Sequence, residues 1–218
     1  MTDSQSTPPF SFSSFLGETL LEKVGKKEKK TADLMKGKEL VLLYFSAKWC
    51  GPCRAFSPLL TDFYNKYAKS EKLEIVYVSS DNSIEEFEEY YKKMPWLAIS
   101  PVQGSAVIKR KLAETFGIMG IPTLVVMTST GEFITSSARE EVTKAGKDNG
   151  KTVIQTWKST EPKPLSEATS MSNGGGGILY KLLMYFARNP MHCVALVYLY
   201  KWAVRKYNTL GAEENPEL

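Results

Sequence analysis

The apolar positions of the chain fall into runs of two kinds. Leu40-Val41-Leu42-Leu43-Tyr44-Phe45 is continuously apolar, and Leu73 to Ser79 carries Ile75, Val76, Tyr77 and Val78. Both predict strands, the second of them central. Between them Phe56, Leu59, Leu60, Phe63, Tyr64 and Tyr67 recur at three- and four-residue spacing. That spacing predicts a helix from Pro52 to Ala68 with one apolar face laid on a sheet. Pro58 falls inside it and removes one backbone hydrogen bond, which predicts a bend or two short helices meeting there.

Further along, Ser83 followed by Glu85 and Glu86 marks a helix start, a hydroxyl cap with acids in the first turn, and this helix should run to about Lys93. Ala106 to Phe116 predicts another helix with Leu112 and Phe116 inward and Gly117 as its stop. Leu124-Val125-Val126-Met127 predicts a third strand, which Ser129-Thr130-Gly131 turns into Glu132 to Thr135, a hairpin with Gly131 in the left-handed region. A last helix or extended segment reaches Trp157. Trp96 and Trp157 are read as core. This order makes an α/β protein, a mixed sheet with helices on both faces.

The ends differ in texture. Residues 1–25 form an N-terminal extension whose Phe10, Phe12, Phe15, Leu16, Leu20 and Leu21 supply apolar surface for a short helix or strand to dock. The basic stretch Lys26 to Lys38 reads as a solvated turn region with Ala32-Asp33-Leu34 placing one short element. The main domain is expected over 26–160. Residues 161–177 are rich in Ser, Thr, Pro, Glu and Lys and finish in four glycines, Gly174 to Gly177, which predicts a flexible linker. Residues 178–206 are apolar, aromatic and basic without a single acid, and 207–218 form a polar, acidic tail.

Composition narrows the function. The 218 residues carry a net charge of +4, too mild for a nucleic-acid binder, and no Lys/Arg run is interleaved with stacking aromatics. Three cysteines make no disulfide framework, and the polar start, with Asp3, Pro8 and Pro9, predicts no cleavable signal. The thiols should therefore face a reducing compartment, where a redox-active pair is favoured over a structural bridge. Zinc fails on ligand count, since the other soft ligands, His192 and Cys193, are remote from Cys50 and Cys53. No metal is expected.

The chemistry converges on Ser46-Ala47-Lys48-Trp49-Cys50-Gly51-Pro52-Cys53-Arg54, which follows the first strand and opens the first long helix. Cys50 then sits at a helix N-terminus, where free backbone N–H groups and the helix dipole stabilise a thiolate. Cys53, three residues on, shares its face and is placed to attack a mixed disulfide formed at Cys50.

Trp49-Cys50-Gly51-Pro52-Cys53 in this strand-turn-helix setting, with Ile121-Pro122-Thr123 before a later strand, resembles the thioredoxin superfamily. Tyr44-Phe45-Ser46-Ala47, Pro58, Phe63-Tyr64, the acidic helix Ile84 to Tyr91 and Lys93-Met94-Pro95-Trp96-Leu97-Ala98 resemble its tryparedoxin and nucleoredoxin branch, over about Lys38 to Trp157. The resemblance implies a thioredoxin-like fold. It also implies an oxidoreductase that takes electrons from the dithiol trypanothione and passes them to peroxiredoxins and other disulfides, with no cofactor beyond the redox-active Cys50–Cys53 pair. By position, Cys50 would be the nucleophile, Cys53 the resolving thiol and Trp49 an aromatic wall. Pro122 would be a cis-proline, and Ile121 would offer backbone hydrogen bonds to an incoming peptide. Gly51 and Pro52 would line the substrate, Arg139 would lie near the trypanothione site or be a solvated surface charge, and Asp81 is the candidate proton relay to Cys53 or a cap or loop residue before Ser83.

Two positions depart from the family. Its Cys-Pro-Pro-Cys has Gly51 here, the thioredoxin choice, and its Trp-Asp pair is Ser80-Asp81. A reductase fed by NADPH and thioredoxin reductase, and a non-catalytic module that docks clients, stay open as alternatives.

The 178–206 segment is expected to anchor the chain to membrane lipid. An Arg near the bilayer centre costs roughly 2.5–3.5 kcal/mol, against gains of about 0.3–0.6 kcal/mol per good apolar residue. With Arg188 at one interface, Pro190 to Val204 remains as a short span whose basic flanks, Lys201, Arg205 and Lys206, snorkel. An interfacial helix is the alternative membrane arrangement, and packing on the domain or on a second copy is the non-membrane one. Cys193 is a site where a lipid would attach. Such a tail-anchored protein keeps its catalytic domain in the cytosol, with the mitochondrial outer membrane favoured over the endoplasmic reticulum.

Overall fold

The computed structural model describes residues 10–22, 28–101 and 105–172. The chain opens with α1 (Phe12–Leu16), β1 (Thr19–Leu21), β2 (Glu28–Lys30) and α2 (Thr31–Met35). The central part is β3 (Leu40–Ser46), α3 (Gly51–Tyr67), β4 (Leu73–Ser79), α4 (Ile84–Tyr91), β5 (Leu97–Ala98) and α5 (Ser105–Thr115). It closes with β6 (Thr123–Thr128), β7 (Phe133–Thr135), α6 (Ala138–Ala145), α7 (Gly150–Ser159) and α8 (Leu165–Ser172). The strands form one mixed sheet in the order β2-β1-β5-β4-β3-β6-β7, with β3, β4 and β5 parallel and the remaining pairs antiparallel.

Both central strands are buried along their whole length, which is why each reads as a nearly unbroken apolar run. Strand alternation then divides the core. Leu40, Leu42 and Tyr44 join Leu73, Ile75, Tyr77, Leu124 and Val126 on one face, under the side chains of α3, α4, α6 and α7. Val41, Leu43 and Phe45 join Val76, Val78, Val125 and Met127 on the other, under α1, α2, α5 and α8. Trp96 and Trp157 are 1% and 2% exposed and belong to the first core.

Pro58 lies inside α3, which continues through it as one helix. The terminal segment reaching Trp157 consists of two helices, α6 and α7. Gly131, at φ +88°, turns the β6–β7 hairpin, and a Cβ there would meet the Phe10 ring at 2.3 Å, so glycine also admits the N-terminal aromatic.

The short elements expected in the N-terminal extension and around Ala32-Asp33-Leu34 are present, with more structure around each than the sequence shows, and the linker reading changes in part. The N-terminal extension is woven into the sheet: β1 pairs with β5 through Leu21 and Ala98, and the Tyr91 hydroxyl donates to the carbonyls of both Leu21 and Trp96 at 2.9 Å. The basic turn region contains β2 and α2, with Thr31 and Met35 buried. The linker is ordered over its first part. Lys163 exchanges two 2.8 Å backbone hydrogen bonds with Phe133, and α8 buries Ala168 completely. A few well-placed contacts thus order a segment whose composition alone reads as flexible. Among the described residues no helix is long and apolar enough to cross a membrane. The rest of the linker, the 178–206 anchor with its predicted C-terminal hydrophobic helix, and the acidic tail lie outside the described residues.

Candidate active site

β3 delivers the chain to the C-terminal end of the parallel strands, and α3 starts with Cys50 as its N-cap in extended conformation (φ −80°, ψ 109°). Pro52, in the first turn, suits a position whose N–H has no intrahelical partner. Cys50 and Cys53 are joined in a disulfide, with Cα atoms 5.2 Å apart. Cys53 is fully buried while Cys50 keeps 6% of its surface, and the exposed Gly51 and Pro52 lie between them. One sulfur is therefore reachable from outside and the other is sealed.

The Cys53 backbone N–H donates to Cys50 Sγ at 3.2 Å. After reduction this donor and the helix N-terminus both stabilise negative charge on Cys50, the condition for a nucleophilic thiolate. Ile121 closes the opposite side: its carbonyl oxygen lies 3.7 Å from Cys50 Sγ, and its side chain packs on Ala47, Cys50 and Cys53. The Ile121–Pro122 peptide bond is cis. Trp49 is 52% exposed beside the disulfide, and its Nε1–H donates to the Ser80 carbonyl at 3.0 Å. Met119, also exposed, precedes this loop.

Asp81 makes its hydrogen bonds elsewhere than at Cys53. Its carboxylate accepts the Lys48 backbone N–H (2.6 Å), the Tyr77 hydroxyl (2.5 Å) and the Ser79 hydroxyl (2.7 Å). Burial first, and then this bond to Asp81, push the Tyr77 hydroxyl far above its ordinary range, so it remains a donor. Half-buried Lys109 on α5 has its pKa lowered by burial, an effect the Asp81 charge opposes. Arg139 stands on α6 with its guanidinium against Glu140 at 3.3 Å, and its carbonyl accepts the Thr143 hydroxyl of the same helix.

The sequence reading overlooks a buried hydroxyl cluster under Cys53. Tyr44 and Ser57 both donate to the Cys53 carbonyl, at 3.3 and 3.0 Å. The Ser57 hydroxyl lies 2.9 Å from that of Tyr44 and 2.7 Å from that of Tyr90, which in turn reaches Ser46 at 3.3 Å. Burial raises the Tyr44 pKa, so its hydroxyl stays a neutral donor. Its available signal was Ser57 four residues after Cys53, which shares a helix face with it. Ser57 and Tyr90 also line a cleft of about 530 Å³ between α3 and α4, with Lys48, Arg54 and Lys93 around them. Among the described residues no three His, Cys, Asp or Glu side chains are grouped to hold a metal.

A cysteine that keeps a little of its surface with a donor beside its sulfur, a fully buried partner three residues away and the Ile121 carbonyl facing the first sulfur suit dithiol–disulfide exchange. The comparisons agree. Residues 37–133 match a family described as thioredoxin-like. A tryparedoxin of Trypanosoma brucei brucei is 46% identical over 103 residues, covering 47% of this chain and 70% of that protein. A probable nucleoredoxin 1 of Arabidopsis thaliana is 44% identical over 109 residues, covering 50% of this chain but only 18% of the longer plant protein. Among solved structures, a tryparedoxin II complexed with glutathionylspermidine aligns with a TM-score of 0.54 and 37% identity, over 62% of this chain and 88% of that one.

Proposed function

This chain belongs to the thioredoxin-like family of tryparedoxin and nucleoredoxin type, a family of thiol-disulfide oxidoreductases, and we propose that it passes electrons from trypanothione or a similar small dithiol to peroxiredoxins and other disulfide proteins. The observation that carries this reading is the asymmetric Cys50–Cys53 disulfide, in which Cys50 keeps a small part of its surface beside the Ile121 carbonyl and Cys53 is fully buried. Cys50 thiolate attacks one sulfur of the target disulfide, and the other target sulfur leaves as a thiolate that takes up a proton. Cys53, losing its proton, then attacks Cys50 Sγ and releases the second target sulfur. The target gains two electrons and two protons, and the Cys50–Cys53 disulfide forms. A donor dithiol reverses the exchange.

In this reading Trp49, Gly51 and Pro52 frame the incoming disulfide, Ile121 and Pro122 present backbone to the substrate, and Arg139 meets a negatively charged part of the donor. Trypanothione is favoured by the likeness to a tryparedoxin and to one solved with glutathionylspermidine. Gly51 favours the second reading, supply by NADPH and thioredoxin reductase. The acid-free apolar segment 178–206 supports a tether to membrane lipid, with the catalytic domain facing the cytosol at the mitochondrial outer membrane.

Full-length protein in mild detergent should reduce a peroxiredoxin disulfide. Cys50→Ser should abolish this, and Cys53→Ser should accumulate a covalent adduct with the target. Activity of Cys50→Ser at the wild-type level rejects the mechanism. Reduction by thioredoxin reductase but not by trypanothione rejects the donor. Release of the full chain from membranes by alkaline carbonate rejects a spanning anchor.

A further inference from the structure

We propose that Asp81 is a positioning residue: its carboxylate fixes the backbone of Lys48 and thereby the Trp49–Cys50 turn that presents the nucleophile. The proposal deepens the reading of Cys50 as the attacking thiol and assigns Asp81 a role different from proton transfer.

The segment between β3 and α3 has little regular structure of its own to hold it. It is clamped from the end of β4. The Ser80 N–H donates to the Ser46 carbonyl at 2.9 Å, the Lys48 N–H donates to Asp81 Oδ1 at 2.6 Å, and the Trp49 indole donates to the Ser80 carbonyl at 3.0 Å. Three successive parts of the approach to Cys50 are thus tied to two residues. Of the two residues that hold the segment, Ser80 and Asp81, Asp81 is the one that acts through its side chain, and it is itself braced. Tyr77 and Ser79 donate to its Oδ2, and its own N–H donates to the Ser79 hydroxyl at 2.9 Å.

The chemistry of these contacts separates an anchor from a base. A carboxylate only accepts, and here three of its roughly four lone-pair sites already face donors, one of them a backbone N–H with no exchangeable role in the reaction. A relay to Cys53 would need a free lone pair aimed at that thiol. The groups gathered below Cys53 are instead the hydroxyls of Tyr44 and Ser57 on its carbonyl. Asp81 therefore acts on the geometry of Cys50.

The test compares Asp81→Asn with Asp81→Ala in the full chain, in detergent. The asparagine oxygen still accepts the Lys48 N–H, and the Tyr77 and Ser79 hydroxyls can rotate to accept from its amide, because a hydroxyl both donates and accepts. Asp81→Ala has no acceptor. Positioning predicts that Asp81→Ala lowers kcat/KM for a peroxiredoxin disulfide by about 10- to 100-fold, the scale of a small misplacement of a reacting group. It predicts that Asp81→Asn restores most of that rate. In ¹⁵N-labelled protein the Lys48 amide and Trp49 indole resonances should move in Asp81→Ala and stay near their wild-type positions in Asp81→Asn. A relay predicts that both variants are equally slow, since an amide takes no proton; that result overturns the proposal, as does an Asp81→Ala with unchanged resonances. Should Asp81→Ala unfold, Asp81→Asn decides alone: retained rate supports positioning and lost rate refutes it. If the wild type reduces no disulfide, the functional reading fails, while the two resonances still test the clamp.

Discussion

The Ile121 carbonyl oxygen stands 3.7 Å from Cys50 Sγ, while the Ile121 side chain covers the disulfide from the same side. The residue that packs on the disulfide is therefore also the one whose backbone carbonyl faces Cys50. Its apolar character leaves the charge balance of the thiolate to the helix N-terminus and the Cys53 N–H.

Ile121→Asp tests that balance. A negative charge facing Cys50 disfavours the thiolate, so its pKa rises and the pH profile of Cys50 alkylation moves upward, by about one unit for a close like-charge neighbour. At neutral pH the alkylation rate falls accordingly. Iodoacetamide kinetics on reduced protein from pH 5 to 9 measure the midpoint, and an unmoved midpoint would place Ile121 outside the electrostatic reach of Cys50.

Ser57→Ala removes the central member of the buried hydroxyl cluster. Tyr44 and Tyr90 each lose a partner, with a cost of up to about 1–3 kcal/mol that falls mainly on the fully buried Tyr44, since Tyr90 lines the cleft. Thermal unfolding should register a lower Tm, by roughly 2–4 °C per kcal/mol for a domain of this size. Since Tyr44 and Ser57 hold Cys53 by its carbonyl and Ser57 carries no charge, the alkylation midpoint of Cys50 should stay where it is. A stable variant with a shifted midpoint would contradict both halves of this argument.

Glu39 gives a pH-dependent contribution of known sign. Its hydrogen bonds to Lys72 and then to Lys158 hold its pKa down at about 2, against an ordinary 4.5. A depressed acid stabilises the fold above its unfolded pKa, and that contribution is lost as pH falls from about 4.5 toward 2. Glu39→Gln should therefore be slightly less stable than wild type at pH 7 and indistinguishable near pH 2. The pair is exposed, so added salt should shrink the gap at pH 7. Denaturant titrations at both pH values check it, and a gap that persists at low pH would assign the effect to packing.

How far the sequence reached depended on how long each pattern was. β3, α3, β4 and α4 were legible because each presents a full apolar run or several helical turns, and the CxxC motif inherits its placement from them. β1 and β5 have three and two residues, too few for a period, and they form because Leu21 and Ala98 pair and Tyr91 bonds to both flanks. α8 has few apolar side chains and is fixed by Lys163 on Phe133 and by buried Ala168. Within the site, the cysteines follow from local sequence. The partners of Asp81 and the Tyr44–Ser57–Tyr90 hydroxyls arise only when strands and helices distant in sequence are brought together.

Gly51→Pro restores the family's Cys-Pro-Pro-Cys and asks what that residue decides. The fold accepts it: residue 51 is the first of α3, a Cβ there meets nothing within 4 Å, and Cys50 already has the extended conformation that a following proline requires. Removing a flexible glycine from the unfolded chain favours the native state by about 0.4–1 kcal/mol, reduced here because Pro52 pushes its predecessor away from helical angles. The Tm should therefore rise slightly. The catalytic consequence is a narrower turn between the two sulfurs and one backbone donor fewer beside Cys50. If the turn sets donor choice, the ratio of reduction rates with trypanothione and with thioredoxin reductase should shift several-fold toward trypanothione. Parallel assays of the two donors on wild type and variant measure that ratio. A stable variant with an unchanged ratio would assign donor choice to surfaces beyond the motif, Arg139 first among them.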